Sequence, residues 1–383
     1  MKRAVGLVLA LVLVLGALPL GANAVELEVA GKGVCLMDIA TGTVLYEKNS
    51  HERLSPASVT KVMTLLLIME AIGDGRIGWN DSVTASESAA AKGGSQIYLK
   101  VGETMTVETL VKSIAVSSAN DAACAMAEHL AGSESAFVDM MNTRAKELGM
   151  NDTHFVNCTG LDDAEEAKEH LTSAYDIAVM SRELMKNHPD IQRFTTIWMD
   201  TIRDGAFGLA NTNKMVRFYT GCTGLKTGYT SGAGFCLSAT AEREGLGLIA
   251  VVLGCDTSQD RFAACKAMLD YGFASFALIS PEPETRLTVP VKLGTGVAVA
   301  AVPGKAVELL IDKAQRGSVT TEVALEESVT APVSQGQRLG TLTVKCADRI
   351  LAQIPLVAET AVARLTFGDL FLMVLGRVVM AGA

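Results

Sequence analysis

Ser58-Val59-Thr60-Lys61, running on into Val62-Met63-Thr64-Leu65-Leu66-Leu67-Ile68-Met69, is the stretch whose reading decides the fold. Residues that are apolar nearly all round a helical period predict a helix passing through the interior of a domain. Pro56 and Ser58 mark its start. The entrance of a buried helix presents backbone N–H groups without intrahelical partners, a setting that suits a developing oxyanion. Ser58 and Lys61 stand three apart and share a face. A lysine held among apolar side chains loses proton affinity and can act as a base toward a neighbouring hydroxyl. Taken alone, the same residues also read as a capping serine with a lysine reaching out to solvent.

Two further motifs follow in order, Ser118-Ala119-Asn120 and Lys226-Thr227-Gly228. The first lies between two amphipathic helical stretches, so it forms a turn with its side chains exposed. Val107, Leu110, Val111 and Ile114 share a face before it, and residues 121–130 continue after it. A hydroxyl at Ser118 can relay a proton, and the Asn120 amide can hold a substrate amide. Lys226-Thr227-Gly228 leads toward a strand over residues 233–241. A glycine there lets a substrate backbone approach, while lysine and threonine can receive a carboxylate. Each motif alone is weak; the ordered trio, with room between its members for a helical insertion and a return to a sheet, is not.

Around these motifs the pattern predicts an α+β domain. Residues 33–49 read as two strands joined at Thr41-Gly42, with Val34, Leu36, Val44 and Tyr46 on the packed faces. A second hairpin spans residues 233–241 and 246–253 across Glu242-Arg243-Glu244-Gly245. Between them the period is helical, as in Phe137, Met140, Met141 and Leu148. Strands from both ends of the domain therefore build an antiparallel sheet, with a helical body inserted. Pro281-Glu282-Pro283-Glu284 breaks all periodicity and marks a boundary. Beyond it Leu287, Val289, Val291 and Leu293, and then Val319, Thr321, Val323 and Leu325, alternate with polar partners. That period predicts a small antiparallel β domain over 282–360, with a spacer or partner-binding role.

The ends of the chain concern location. Lys2-Arg3, an uncharged run over residues 4–18 and the small-x-small site Ala22-Asn23-Ala24 read as a secretory signal over residues 1–24, with an N-terminal membrane anchor as the alternative. The formal charge of −9 becomes more negative once Lys2 and Arg3 are removed, and nothing points to nucleic acid. Eight cysteines, Cys35, Cys124, Cys158, Cys222, Cys236, Cys255, Cys265 and Cys346, allow disulfides in an exported chain, but several sit in apolar contexts that favour buried thiols. There is no C-x-x-C or His-Glu-x-x-His and the five histidines are scattered, which argues against a zinc site. Phe367, Leu370, Phe371, Val374, Leu375, Val378 and Val379 make an apolar stripe, with Asp369, Gly376 and Arg377 off it. An amphipathic helix over 361–383, lying on a membrane surface or else packed on the β domain, follows from that stripe.

Jointly the three motifs resemble the penicillin-binding protein and serine β-lactamase superfamily. The likeness to low-molecular-mass D-alanyl-D-alanine carboxypeptidases extends to Gly93-Gly94-Ser95-Gln96, Leu148-Gly149-Met150, His170 with Ser173-Ala174-Tyr175-Asp176, Asn211-Thr212-Asn213-Lys214 and Ala331-Pro332-Val333. The resemblance implies a transpeptidase-like catalytic domain over 25–281 that removes the terminal D-alanine of peptidoglycan stem pentapeptides and is acylated by β-lactams. It also implies no cofactor and a place on the outer face of the cytoplasmic membrane. Ser58 would be the nucleophile, Lys61 the base, Ser118 the relay and Asn120 the substrate holder. Lys226, Thr227 and Arg261 would meet the terminal carboxylate beside Gly228, and the backbone of Ser58 and Tyr229 would form the oxyanion hole. Some positions depart from the family's pattern: Tyr229 replaces a histidine of some relatives, Cys158 stands where proline is usual, and Thr223 where an acidic residue is common. An endopeptidase acting on crosslinks shares these motifs. A class A β-lactamase would need a deacylating glutamate, for which Glu165, Glu166 and Glu169 lie at a plausible distance in sequence. A penicillin-binding sensor with a disabled site is the reading from outside enzymology.

Overall fold

The computed structural model describes residues 27–283, 285–369 and 371. The signal expected over residues 1–24 and most of the helix expected over 361–383 lie outside them. A five-stranded antiparallel sheet forms the first domain's spine. Its strands are β1 (Gly33–Asp38), β2 (Val44–Lys48), β3 (Cys222–Thr230), β4 (Gly234–Arg243) and β5 (Leu246–Cys255), in the order β2-β1-β5-β4-β3. The first hairpin closes as its sequence requires, with Leu36 opposite Tyr46. All six residues of β1 are buried, however, so Cys35 and Met37 pack as deeply as Val34 and Leu36. The sheet is covered on both faces, which erases the period of two in its central strands.

One cover is the helical body: α1 (Lys61–Gly73), α2 (Val107–Ser117), α3 (Asn120–Ala131), α4 (Glu134–Glu147) and α5 (Ala174–Asn187). Lys61, Val62, Met63, Thr64, Leu65, Leu66, Leu67, Ile68, Met69 and Ala71 of α1 are all buried, as its all-round apolar pattern demands. The other cover is α6 (Ser258–Ser275), which starts with a reciprocal capping box between Thr257 and Asp260. Its Cys265, Met268, Leu269 and Phe273 pack with Val34, Leu36, Leu248 and Val252 from the far face of the sheet. All eight cysteines are free thiols, and Cys222 and Cys346 are the half-exposed ones.

After α6, a short strand, Phe276–Ile279, pairs with Leu309–Asp312, which stitches the chain on either side of Pro281 and Pro283. The β domain's six-stranded sheet closes over Val289, Val299, Leu339, Leu342, Val344, Ile354 and Leu356. The alternation over Leu287–Lys292 points Val289 and Val291 inward, while Leu293 falls just past the strand with φ +55° and is exposed. In Val319–Leu325, at the sheet edge, Val323 is exposed despite its place in the pattern. Among the described residues no helix is long and apolar enough to cross a membrane.

Candidate active site

Ser58 lies in a 3-10 turn, Ala57–Thr60, that feeds directly into α1. Ala57 takes a left-handed conformation, φ +48°, to make the entry. Ser58 is half-buried, whereas Lys61, one turn on, is fully buried. Lys61 Nζ donates to Ser58 Oγ at 2.9 Å and to the Thr159 carbonyl at 2.7 Å. The lysine therefore does not reach out to solvent. Burial pushes it down from 10.5 to about 7, with the nearby Cys158 and Asp121 pulling the other way. Near neutral pH a large share of Lys61 is unprotonated and faces a hydroxyl, the arrangement a general base needs.

The Thr159 carbonyl is aimed by a tightly bound turn. Asn157 Oδ1 accepts from Thr159 N–H at 3.1 Å and Gly160 N–H at 2.6 Å. Thr64 of α1 donates to the Cys158 carbonyl at 2.6 Å. A Cβ on Gly160 would lie 1.9 Å from the Ala57 carbonyl oxygen, so only glycine lets the turn close against the serine segment. Cys158, where the family resemblance leads one to expect proline, donates both its N–H and its thiol to Glu134. His170 supports the same segment. Its Nδ1 accepts from Val156 N–H at 3.1 Å, so Nε2 carries the proton and donates to Thr60 Oγ1 at 2.7 Å. Thr60 in turn donates to the Ala57 carbonyl at 2.8 Å. Burial holds His170 at about 4, so it stays neutral and acts as a brace.

Ser118 ends α2 in the left-handed conformation, φ 64° and ψ 28°, and α3 begins at Asn120. This is the turn the sequence predicts, but its side chains are buried, not exposed. Asn120 Nδ2 donates to the Gly93 carbonyl at 2.7 Å and its backbone N–H to Ser95 at 2.7 Å. Ser118 Oγ and Asn120 Oδ1 are buried with no hydrogen-bond partner among the described residues. Two orphaned polar atoms in one turn are costly unless a ligand or water completes them. Asp121, which the motif reading passed over, anchors the loop opposite. Its carboxylate accepts from Ile97 N–H at 3.2 Å and Leu99 N–H at 2.9 Å.

Lys226, Thr227, Gly228 and Tyr229 lie within β3 itself, not in a lead toward the next strand. Gly228 is required by the protein's own packing: a Cβ there would stand 2.6 Å from the Pro56 carbonyl and 3.1 Å from Ala57 Cβ. The third motif is thereby pressed against the serine-bearing turn. Lys226 is buried, and burial first, then Lys61 and Arg261, lower its proton affinity well below the ordinary lysine range. Its Nζ donates to the Thr227 carbonyl at 2.9 Å, and Thr227 Oγ1 donates to Thr212 at 2.7 Å. Tyr229 is 56% exposed and stacks on Phe235 at 4.3 Å between centroids. Arg261, from the first turn of α6, donates to the carbonyls of Gly228 at 2.8 Å and Cys236 at 3.2 Å, so it braces the β3–β4 ladder, while its Nε is left without a partner.

The structure thus gathers Ser58 and Lys61 by direct contact, and Gly228, Lys226 and Arg261 by the packing of β3 on the serine turn. Thr60, Thr159, Asp121 and His170 are the contributors that motif reading did not single out for the site; only the placement of His170 beside a family-like stretch hinted at one of them. Glu165, Glu166 and Glu169 are all exposed, and the second acceptor for Lys61 is the Thr159 carbonyl. A cleft of about 510 Å³ opens beside Thr159, lined also by Lys92, Gly93, Leu161, Asp163 and Glu166.

A half-buried serine hydroxyl facing a fully buried lysine of lowered proton affinity, at the seam between a helical body and a sheet edge, defines a class: enzymes that transfer acyl groups through serine with lysine as base. A family model described as D-alanyl-D-alanine carboxypeptidase matches residues 21–257, and one described as penicillin-binding protein 5, C-terminal domain, matches residues 278–364. D-alanyl-D-alanine carboxypeptidase DacF of Bacillus subtilis is 43% identical over 345 residues, 88% of this chain and 87% of its own. The solved structure of a peptidoglycan synthesis regulatory factor from Streptococcus pneumoniae matches with a TM-score of 0.73 at 30% identity, covering 88% of this chain and all of that one (100%). A penicillin-binding protein from Listeria monocytogenes, solved in its ampicillin-bound form, matches with a TM-score of 0.59 at 31% identity over 65% of this chain and 99% of that one. The chain belongs to the D-alanyl-D-alanine carboxypeptidase family.

Proposed function

We propose that this serine-type D-alanyl-D-alanine carboxypeptidase removes the terminal D-alanine of peptidoglycan stem pentapeptides through an acyl-enzyme on Ser58. The observation that carries the assignment is the hydrogen bond from fully buried Lys61 to Ser58 Oγ at 2.9 Å. Unprotonated Lys61 takes the hydroxyl proton as Oγ attacks the carbonyl carbon between the two D-alanines. The oxyanion that forms is met by the backbone N–H groups of Ser58 and Tyr229. Collapse breaks the C–N bond, and the proton held by Lys61 passes through Ser118 Oγ to the leaving amine, which departs as D-alanine. Water then attacks the ester with Lys61 again as base, and the proton returns to Ser58. Asn120 Oδ1, left without a partner in the protein, accepts from a substrate amide N–H. Lys226, Thr227 and the unpartnered Nε–H of Arg261 receive the terminal carboxylate. A bound carboxylate offsets the burial cost of the Lys226 charge, so substrate binding and protonation of that lysine favour each other.

β-Lactams enter the same sequence of steps and stop at the ester, because the leaving group stays tethered to the acyl moiety. Residues 1–24 direct export and residues 25–281 carry the chemistry. Residues 282–360 form the β domain and residues 361–383 hold the protein to the outer face of the cytoplasmic membrane. Support for the last reading is the start of a helix at the tail: Thr366 accepts from Asp369 N–H, and the Asp369 carboxylate accepts from Thr366 N–H at 2.8 Å. The test of the chemistry is release of free D-alanine from a synthetic pentapeptide ending in D-Ala-D-Ala, by the exported chain and by its Ser58→Ala variant. Release by the first and none by the second is expected. Release that survives in the variant refutes Ser58 as nucleophile, and a folded chain that binds penicillin covalently but releases no D-alanine refutes the substrate.

A further inference from the structure

The β domain carries an apolar tip at the point where the tail leaves it. The loop after Leu287–Lys292 turns back through Leu293-Gly294-Thr295-Gly296-Val297 before the strand Ala298–Pro303. Leu293 is 48% exposed and Val297 86% exposed. This loop is fastened to the segment that precedes the tail. Leu365 N–H donates to the Leu293 carbonyl and Thr295 N–H to the Ala363 carbonyl, both at 2.9 Å, with Gly294 and Arg364 forming an antiparallel bridge. The first apolar residues of the tail follow at once, with Phe367 85% exposed and Phe371 58% exposed.

Four large apolar side chains thus stand in water at one end of the β domain. Lys292 and Arg364 flank them, both exposed and neither in an ion pair among the described residues. From Phe367 the sequence runs on to Val379 with Asp369 and Arg377 as its charged residues. Apolar residues with basic neighbours, continuous with an apolar tail, fit the boundary between headgroups and acyl chains of an anionic bilayer. A single weak anchor holds a protein reversibly, and a second point of insertion both tightens it and fixes its orientation.

We propose that the Leu293–Val297 loop is a second membrane-inserting element. It seats the β domain against an anionic lipid surface beside the tail, and so sets which way the catalytic domain faces. The inference rests on the tail reading given above, and two variants separate them. Sedimentation with vesicles of phosphatidylcholine and phosphatidylglycerol would compare the exported chain, a chain ending at Leu365, and a Leu293→Ser/Val297→Ser variant of the exported chain. The loop variant is expected to bind about tenfold more weakly, with its release of D-alanine from a soluble peptide unchanged. The chain ending at Leu365 is expected to lose most of its binding. Loop-variant binding equal to the exported chain's, with the shortened chain still defective, would overturn the loop's role and leave the tail reading standing. Undiminished binding by the shortened chain would overturn both. A Val297→Trp variant gives a readout independent of affinity: its added fluorescence should be quenched by lipids brominated on their acyl chains, and absence of quenching on bound protein would also overturn the proposal.

Discussion

Replacing Lys61 by methionine should make the protein more stable at acidic pH while abolishing acylation. Lys61 is fully buried and pushed down from 10.5 to about 7, with burial as the leading cause. Below pH 7 it is protonated in both folded and unfolded chains, so the full cost of its buried charge falls on the fold. At about 1.4 kcal/mol per pH unit that cost is on the order of 5 kcal/mol. Between pH 7 and 10.5 the unfolded chain holds a proton that the folded one lacks, so stability rises with pH, by about 3 kcal/mol from pH 6 to pH 9. Methionine fills a similar volume without charge. It strands the Thr159 carbonyl, at about 1–3 kcal/mol. The variant should therefore gain about 2–4 kcal/mol at pH 6 and close to nothing at pH 9. Lys226, whose burial cost Lys61 adds to, contributes with the same sign. Urea unfolding of both proteins at the two pH values, followed by circular dichroism, is the assay. A difference between variant and parent that is the same at pH 6 and pH 9 would refute the argument that Lys61 is held in a charge-hostile site.

Three other outcomes follow from the same geometry. Because Lys61 must be unprotonated to act, kcat/KM for D-alanine release should climb about tenfold per pH unit on the acid side and level off above about pH 7, and a flat profile from pH 5 to 8 would count against it as base. Gly228→Ala places a methyl 2.6 Å from the Pro56 carbonyl, so it should cost about 1–3 kcal/mol of stability and slow penicillin acylation roughly a hundredfold by shifting the serine turn, as stopped-flow trapping would read. Asp121→Asn leaves one oxygen to serve the N–H groups of Ile97 and Leu99, and should cost about 1–3 kcal/mol in thermal unfolding with a matching slowing of acylation as the Asn120 turn loosens; an unchanged acylation rate would show that the turn is held elsewhere.

The residues themselves settled much of this protein. The all-round apolar run after Ser58 required a buried helix, and the helix made Lys61 a buried lysine. The hairpin at Thr41-Gly42 and the alternation beyond Pro283 gave the α+β domain and the β domain, because turn chemistry and side-chain period are local properties. The three ordered motifs picked out side chains that the structure brings to one candidate site, Ser58 against Lys61 and β3 against the serine turn, because each group's chemistry belongs to its own side chain. Both-face burial of β1 was not legible, since it depends on α6, whose apolar face becomes a face only once the sheet lies against it. The strand position of Lys226-Thr227-Gly228 and the packing demand on Gly228 were equally hidden, because the backbone oxygen that a Cβ there would meet belongs to Pro56. Thr159 as the second acceptor for Lys61, His170 as a neutral brace and Asp121 as the anchor of the facing loop all join residues distant in the chain. No local pattern records such pairs. Identity and period are written along the chain, whereas the proton affinity of Lys61 and the unpartnered atoms of Ser118 and Asn120 come from which segments exclude water from one another, and only the packed structure fixes that.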